Sequence, residues 1–154
     1  MKRFIRLLAV AALVASAAAC DEKPADFDWS SITGPTPNLE PTFRSIQTNI
    51  FESTDATGRV ACTTCHTNVG RNPSANLNLT RDFAYDQIVN RARVQRAELA
   101  LVKPGDPEGS YLLHKLDGRP GIINLRMPRN SPSFLTAGQI LVVKRWIEIG
   151  APRN

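Results

Sequence analysis

The sequence predicts an all-α domain in which a few short helices are joined by long loops. Apolar residues recur at helical spacing in four separate segments, and 11 Pro and 9 Gly residues punctuate the stretches between them. Strand-like stretches such as Leu99 to Val102 are too short to build a sheet. With 154 residues, 42% of them hydrophobic, the chain has room for one domain with its own core.

An export signal is predicted for residues 1–19. Basic residues precede a short apolar stretch that ends in alanines and is too short to span a bilayer. Cys20 follows directly and resembles the cysteine of a bacterial lipobox, although Ala17 stands where such boxes usually carry Leu. We therefore expect Cys20 to be the lipid attachment site that anchors the exported protein on the periplasmic side of a bacterial membrane. A plain signal peptide cleaved near Ala19 is the alternative.

Residues 20–41 are predicted to form a disordered tether, because they contain four prolines, scattered acidic residues and no apolar period. Residues 42–154 then form the domain, with fifteen Lys or Arg residues against nine Asp or Glu residues. These basic residues do not form runs and aromatic residues are scarce, which argues against nucleic-acid binding. A basic face that docks acidic partner proteins remains open.

The first two helices are predicted to begin at Pro41 and after Thr80. Pro41 suits a first helical position, and Thr80 is a candidate N-cap. The apolar face of the first helix consists of Phe43, Ile46 and Ile50. The corresponding side of the second helix consists of Phe83 or Ala84, Ile88 and Ala92.

The last two helices have clearer start signals. Asp106 followed by Pro107 predicts an N-cap and first turn for the third helix. Its inward residues are Tyr111, Leu112 and Leu116. Thr136 and Gln139 predict a capping box for the fourth helix, and Gly150 can end it. The apolar stripe of that helix consists of Ile140, Val143, Trp146 and Ile147.

The segment from Cys62 to His66 is a C-x-x-C-H motif, the pattern of c-type haem attachment. Its two thiols, Cys62 and Cys65, can form thioether bonds to the vinyl groups of a haem, and His66 is then held beneath the iron as a ligand. Three alternatives stay open. A zinc site would need a fourth ligand such as His114, a redox dithiol expects a βαβ context, and a disulfide between the two thiols would close a very small ring.

From these residues the chain resembles the monohaem c-type cytochromes, specifically small bacterial exported cytochrome c-like domains, over roughly residues 42–154. The resemblance rests on the C-x-x-C-H motif, on residues 102–112, on Arg126-Met127-Pro128 and on the ending from Trp146 to Pro152. It implies a cytochrome c-like fold wrapped around one covalent haem c, in which the helix before the motif crosses the last helix. It also implies that Met127 binds the iron opposite His66.

The surroundings of Met127 point to the same role independently. It is the only methionine after the predicted signal, and it lies in a Pro-flanked loop rather than in an apolar helical stripe. A thioether is a soft, neutral ligand that favours ferrous iron. His114 is the rival for this sixth position, and Met127 packed on the haem without bonding iron is a further alternative.

Together these features predict a membrane-tethered one-electron carrier that is not an enzyme and that exchanges electrons with a donor and an acceptor protein. Candidates for the pocket wall are Leu77, Leu79, Leu116, Leu125 and Trp146. Candidates for a basic rim are Arg119, Arg126 and Arg129. The alternatives are a haem-based sensor or small-ligand binding module with a labile sixth ligand, a haem catalyst, and a fixed subunit of a membrane redox complex.

Overall fold

The computed structural model describes residues 38–93, 96–129 and 131–154. The helices of these residues are α1 (Phe43–Ile46), α2 (Ala84–Ile88), α3 (Tyr111–Asp117) and α4 (Ala137–Glu148). A π-helical turn (Gln47–Phe51) extends α1, and 3-10 turns span Cys62–Thr64 and Ser74–Asn76. An antiparallel ribbon pairs β1 (Ala92–Arg93) with β2 (Arg96–Ala100). None of the helices in this part of the chain is long and apolar enough to cross a membrane.

Helix α1 begins later than predicted. Its N-cap is Thr42, whose side chain accepts the Ser45 amide, so Pro41 lies before the helix. The predicted apolar face is confirmed, because Phe43, Ile46 and Ile50 are all buried. The wider π-helical turn that follows ends in carbonyl groups without partners inside the helix, which leaves them available to side chains of the next segment.

Helix α2 keeps its predicted inner face but not its predicted cap. Phe83 occupies the N-cap position without a side-chain hydrogen bond. The carbonyl group of Thr80 accepts the amides of Phe83 and Ala84 and so closes a turn ahead of the helix. Ala84 and Ile88 are buried, whereas Phe83 is exposed and Ala92 belongs to β1.

Helix α3 also begins later than predicted, with Ser110 as its N-cap. Asp106 accepts the Gly109 amide at 2.8 Å and stabilises a separate turn. An aspartate that accepts an amide three residues ahead stabilises a turn as well as a helix N-terminus, so the same signal fits both structures. The inward residues were predicted correctly, since Tyr111 and Leu116 are buried together with Leu112.

Helix α4 follows the prediction. The Thr136 hydroxyl accepts the Gln139 amide and the Gln139 side chain accepts the Thr136 amide, which completes the capping box. Gly150 follows the helix with a φ of 97°. Trp146 is fully buried, and its ring centroid lies 5.7 Å from that of Phe43. The first and last helices therefore contact each other in the core.

The β1–β2 ribbon corrects the expectation that the Leu99 region builds no sheet. Leu99 and Ala100 end β2, where Ala100 pairs with Ala92. Val102 forms a further bridge to Val89. Two short strands close together in the chain can pair without the alternating apolar pattern of a longer strand. The ribbon contacts α3 and supports the helix that forms one wall of the candidate site.

Candidate functional site

A cavity of about 860 Å³ lies among the C-x-x-C-H segment, α3 and the loop after α3. Its wall contains Cys62, Cys65, His66 and Met127, so the predicted attachment and iron-binding residues surround one space. The volume falls within the range of roughly 300–1,000 Å³ typical of cofactor sites. The apolar part of the wall includes Phe51, Leu77, Leu79, Leu101, Leu112 and Leu116.

The C-x-x-C-H residues form a tight turn. The amides of Cys65 and His66 both donate to the carbonyl oxygen of Cys62, at 3.2 and 2.9 Å. The two thiols are free rather than joined in a disulfide. The Cys62 thiol contacts the carbonyl oxygen of Ile50 at 3.7 Å, and burial raises its pKa to about 11. Cys62 is therefore a protonated thiol at neutral pH, whereas the side chain of Cys65 is exposed.

The imidazole of His66 is held by the backbone of the following loop. Its Nδ1 lies 3.0 Å from the carbonyl oxygen of Ser74. Burial lowers the pKa of His66, although the carbonyl groups of Ser74 and Leu77 act in the opposite direction. A carbonyl oxygen only accepts hydrogen bonds, so the proton of the neutral ring is on Nδ1 and the lone pair is on Nε2. Metal-binding histidines typically have this arrangement.

Arg59 connects the C-x-x-C-H segment to α1. Its guanidinium is fully buried and donates five hydrogen bonds. The acceptors are the Asp55 carboxylate and the carbonyl groups of Asn49, Ile50, Ser53 and Val60. All five donors of the guanidinium are thus satisfied, three of them by carbonyl groups at or just beyond the end of the π-helical turn. This residue fixes the position from which the turn at Cys62 starts.

The carboxylate of Asp55 is the charged partner of Arg59, 2.9 Å away. Burial by itself raises the pKa of Asp55, but hydrogen bonds from Thr57, Arg59 and Gln139 outweigh that effect and bring it to about 2. Asp55 is therefore ionised across the neutral and mildly acidic range. The pair couples the C-x-x-C-H segment to the N-terminal turn of α4, where Gln139 lies.

The loop that carries Met127 is joined to α3 at several points. The Met127 amide donates to the carbonyl oxygen of Lys115 at 2.8 Å. The Lys115 ammonium donates to the carbonyl oxygens of Ile123 and Leu125 at 2.8 and 2.7 Å, and the Tyr111 hydroxyl accepts the Ile123 amide at 2.9 Å. Burial lowers the pKa of Lys115. Lys115 itself forms part of the cavity wall.

His114, the rival ligand, is not part of the cavity wall. Its Nε2 lies 2.7 Å from the carbonyl oxygen of Glu108, in the turn before α3. The structure therefore groups Met127, and not His114, with the C-x-x-C-H residues. In residues 38–93, 96–129 and 131–154, no group of three or more His, Cys, Asp and Glu side chains is arranged to hold a metal ion.

Two of the five predicted pocket residues lie elsewhere. Trp146 is in the core between α1 and α4, where its indole N–H donates to the carbonyl oxygen of Pro152 at 2.9 Å. Leu125 is 60% exposed, because its backbone rather than its side chain faces α3. The predicted wall residues that do line the cavity are Leu77, Leu79 and Leu116.

The predicted basic rim is reduced to one arginine. Arg129 is exposed and contributes to the cavity wall. Arg119 forms ion pairs with Glu108 and Asp117. Arg126 stacks on the Phe134 ring at 4.3 Å from its centroid. Arg119 and Arg126 therefore stabilise neighbouring loops.

The predicted signal peptide, the lipid attachment site Cys20 and the tether up to residue 37 lie outside the described residues.

Comparisons of the chain with protein-family models, with curated proteins and with solved structures find no match in any of the three.

Proposed function

We propose that this protein is an exported one-electron carrier that holds a single covalent haem c. The observation that carries the proposal is that Cys62, Cys65, His66 and Met127 line one cavity of about 860 Å³. Two thiols would form thioether bonds to the two vinyl groups of a haem, and an imidazole and a thioether would be the protein ligands of its iron. The donor set therefore fits a haem better than a bare metal ion.

The residues that line the cavity would have different roles in holding the haem and in giving a partner access to it. When bound, the haem supplies one-electron chemistry through an iron that alternates between the ferric and ferrous states. His66 presents a neutral Nε2 in an orientation fixed by the Ser74 carbonyl group. Met127 offers a soft, uncharged donor that favours the ferrous state. Cys65 and Arg129 are exposed wall residues, so a docking partner has access to this side of the cavity.

Covalent attachment is tested by producing the protein in cells that contain the haem-attachment machinery. We expect haem to remain with the wild-type polypeptide after denaturation, and to be lost from the Cys62→Ala/Cys65→Ala double variant. The Thr63→Ala/Thr64→Ala double variant is the matched control and retains its haem. Wild-type protein that contains no haem after such production would contradict the proposal.

The carrier function is separated from the ligand-binding alternative by carbon monoxide. We expect the absorption spectrum of the ferrous wild-type protein to stay unchanged on addition of the gas, because two protein ligands occupy the iron. Met127→Ala opens the sixth position and its spectrum shifts promptly, whereas the His114→Ala control behaves like wild type. A prompt shift in the wild-type protein would favour a sensor, a ligand-binding module or a haem catalyst instead.

We further propose that Cys20 carries a lipid and that the segment after it tethers the domain to the periplasmic side of a bacterial membrane. The predicted tether of residues 20–41 is too long at its C-terminal end, because Leu39 is fully buried in the core and the Glu40 amide donates to the Ser45 hydroxyl. The support is the sequence pattern of residues 1–20. Mass spectrometry of the mature N-terminus tests it, with an unmodified Cys20 as the contrary result. The Cys20→Ala variant is expected to leave the membrane fraction, because a lipid anchor is what holds it there.

The redox partners are proposed to dock through acidic patches. The support is the excess of basic residues in 42–154 together with the exposed Arg129 in the cavity wall. Electron-transfer rates are then expected to fall as salt is added, because salt screens the attraction between the two surfaces. Rates that do not change with ionic strength would contradict this docking mode.

A further inference from the structure

Residues 123–125, in the loop between α3 and Met127, are held in place almost without side-chain packing. Ile123 is 39% exposed and Leu125 is 60% exposed, and Asn124 between them is also exposed. Apolar burial therefore contributes little to the position of this segment. Its backbone must be fixed by hydrogen bonds, and α3 provides them.

Lys115 supplies three of these hydrogen bonds. Its ammonium donates to the carbonyl oxygens of Ile123 and Leu125, and its own carbonyl oxygen accepts the amide of Met127. The three bonds reach every second residue of the segment, 123, 125 and 127. One residue on α3 thus contacts the loop at three points up to Met127, twice through its side chain and once through its backbone.

Because Lys115 is buried, its ammonium favours the one loop position in which the loop carbonyl groups solvate it. The residue is only 7% exposed, and among the described residues it forms no ion pair with an aspartate or glutamate. A buried ammonium without a carboxylate is costly unless other groups solvate it, and here two loop carbonyl groups do so. Hydrogen bonds that involve a charged group are also stronger than those between neutral groups. Moving the loop away from α3 would therefore leave the charge without these partners.

We propose that Lys115 is a positioning residue for the sixth iron ligand: it holds segment 123–127 against α3 so that Met127 stays in the cavity wall. This inference rests on the proposed haem function, because it assigns Lys115 a role toward the Met127 position. If so, the strength of the bond between Met127 and the iron depends on Lys115, although Lys115 does not itself need to bind the iron.

The test compares Lys115→Leu with wild type in the haem-loaded protein. Leu removes the two side-chain hydrogen bonds but leaves the backbone bond to Met127. We expect the ferrous variant to bind carbon monoxide about tenfold faster or more, and amides in residues 122–129 to exchange with deuterium about tenfold faster or more. Lys115→Arg keeps a buried cation with several donors and restores both rates toward wild type.

Lys144→Leu is the matched control, because it makes the same change on α4, outside the cavity wall. It should leave carbon monoxide binding and exchange in residues 122–129 unchanged. If Lys115→Leu accumulates poorly, Lys115→Gln is measured in the same way, since its shorter amide reaches at most one of the two carbonyl groups. Rates equal to wild type in the Lys115 variants, or faster exchange without faster carbon monoxide binding, would overturn the positioning role.

The outcome for wild-type protein keeps the two proposals separate. Wild-type protein that binds carbon monoxide promptly would remove Met127 as a ligand, and with it the basis of the carrier proposal and of the positioning role. Wild-type protein that resists the gas, together with an unchanged Lys115→Leu variant, would leave the carrier proposal intact and reject only the role of Lys115.

Discussion

The Nδ1 atom of His66 and the carbonyl oxygen of Ser74 are joined by a hydrogen bond of 3.0 Å. A backbone group therefore sets the orientation of the proposed proximal ligand. The Ser74 amide in turn donates to the carbonyl oxygen of Cys65, also at 3.0 Å, which closes the loop between the two segments. The ring is thereby held with Nε2 free to bind a ligand.

The first prediction concerns Nε2 of His66. His66→Gly removes the imidazole without changing the attachment thiols, so haem is expected to remain covalently bound while one axial ligand is lost. Added imidazole should enter the space left by the ring and restore most of the wild-type absorption spectrum. Absorption spectra of the ferric and ferrous protein, recorded as imidazole is titrated, measure both effects.

His114→Gly is the control for this experiment, because His114 contacts the Glu108 carbonyl group and not the cavity. Its spectrum should match that of wild type and should not respond to added imidazole. A His66→Gly spectrum identical to wild type, before imidazole is added, would show that His66 is not an iron ligand.

The second prediction concerns the two thiols in protein produced without haem. Only the thiolate form of a cysteine reacts readily with alkylating reagents. Because burial raises the Cys62 pKa from 9.0 to about 11, its thiolate fraction at neutral pH falls about a hundredfold. Cys65, which is exposed, should be alkylated first, and the Cys62 rate should keep increasing with pH up to about 11.

Peptide mass spectrometry after timed alkylation distinguishes the two sites. Equal rates for Cys62 and Cys65 at neutral pH would contradict the burial of the Cys62 thiol. In haem-loaded protein neither thiol should react, because both sulfur atoms are then in thioether bonds.

Local signals in the sequence predicted local structure well, and signals that depend on distant contacts did not. The Thr136–Gln139 capping box involves residues three apart, so the chain itself determines it. Asp106 carries an equally local signal, but the turn that it stabilises precedes α3 rather than starting it. The choice between turn and helix depends on Ser110, whose hydroxyl accepts the Lys103 amide from across the turn.

In the candidate site, too, residues with a local sequence signal were predicted and residues whose place depends on distant contacts were not. The C-x-x-C-H motif is contiguous, so its spacing alone identified three wall residues. Lys115 was missed as a site residue because a lysine on a helix is usually solvated, although it lies four residues after Tyr111 and therefore on the buried face of α3. Trp146 was placed in the pocket by its apolar character, whereas the Pro152 carbonyl group that its indole N–H needs lies in the core.

The third prediction concerns the acid stability that the Asp55–Arg59 pair provides. Folding lowers the Asp55 pKa from 3.8 to about 2, so the native state favours the ionised carboxylate. The resulting stabilisation is complete above pH 3.8 and is lost as the pH falls toward 2, and it amounts to about 2 kcal/mol. Asp55→Asn should lower the free energy of unfolding at pH 7 by about that amount and flatten its decrease between these two pH values.

Asp86→Asn is the control, since Asp86 pairs with Arg153 at 3.1 Å but its side chain is 59% exposed, compared with 4% for Asp55. An exposed pair is worth about 0–1 kcal/mol, so this variant should unfold close to the wild-type urea concentration. Urea unfolding at a series of pH values measures both variants. Equal losses in the two would mean that the buried pair contributes no more than a surface pair.

The fourth prediction concerns Gly118, the C-cap of α3, which has a φ of 76°. A Cβ atom there would lie 2.9 Å from the Cδ atom of Arg126, whose Nε donates to the Leu116 carbonyl group. Gly118→Ala therefore combines left-handed backbone strain with a displacement of Arg126, next to the Met127 loop. We expect the free energy of unfolding to fall by about 2 kcal/mol.

Gly105→Ala isolates the contribution of Arg126. Gly105 has nearly the same φ, 77°, but apart from its chain neighbours no heavy atom lies within 4 Å of the position that a Cβ atom would take there, so alanine introduces the strain alone. Its loss of stability should be about 1 kcal/mol smaller than that of Gly118→Ala. If urea unfolding gives the same loss for both variants, Arg126 moves aside without cost and does not hold the end of α3 to the Met127 loop. If the difference appears, carbon monoxide binding to ferrous Gly118→Ala should also be faster than to Gly105→Ala, because only the former disturbs the residue adjoining Met127.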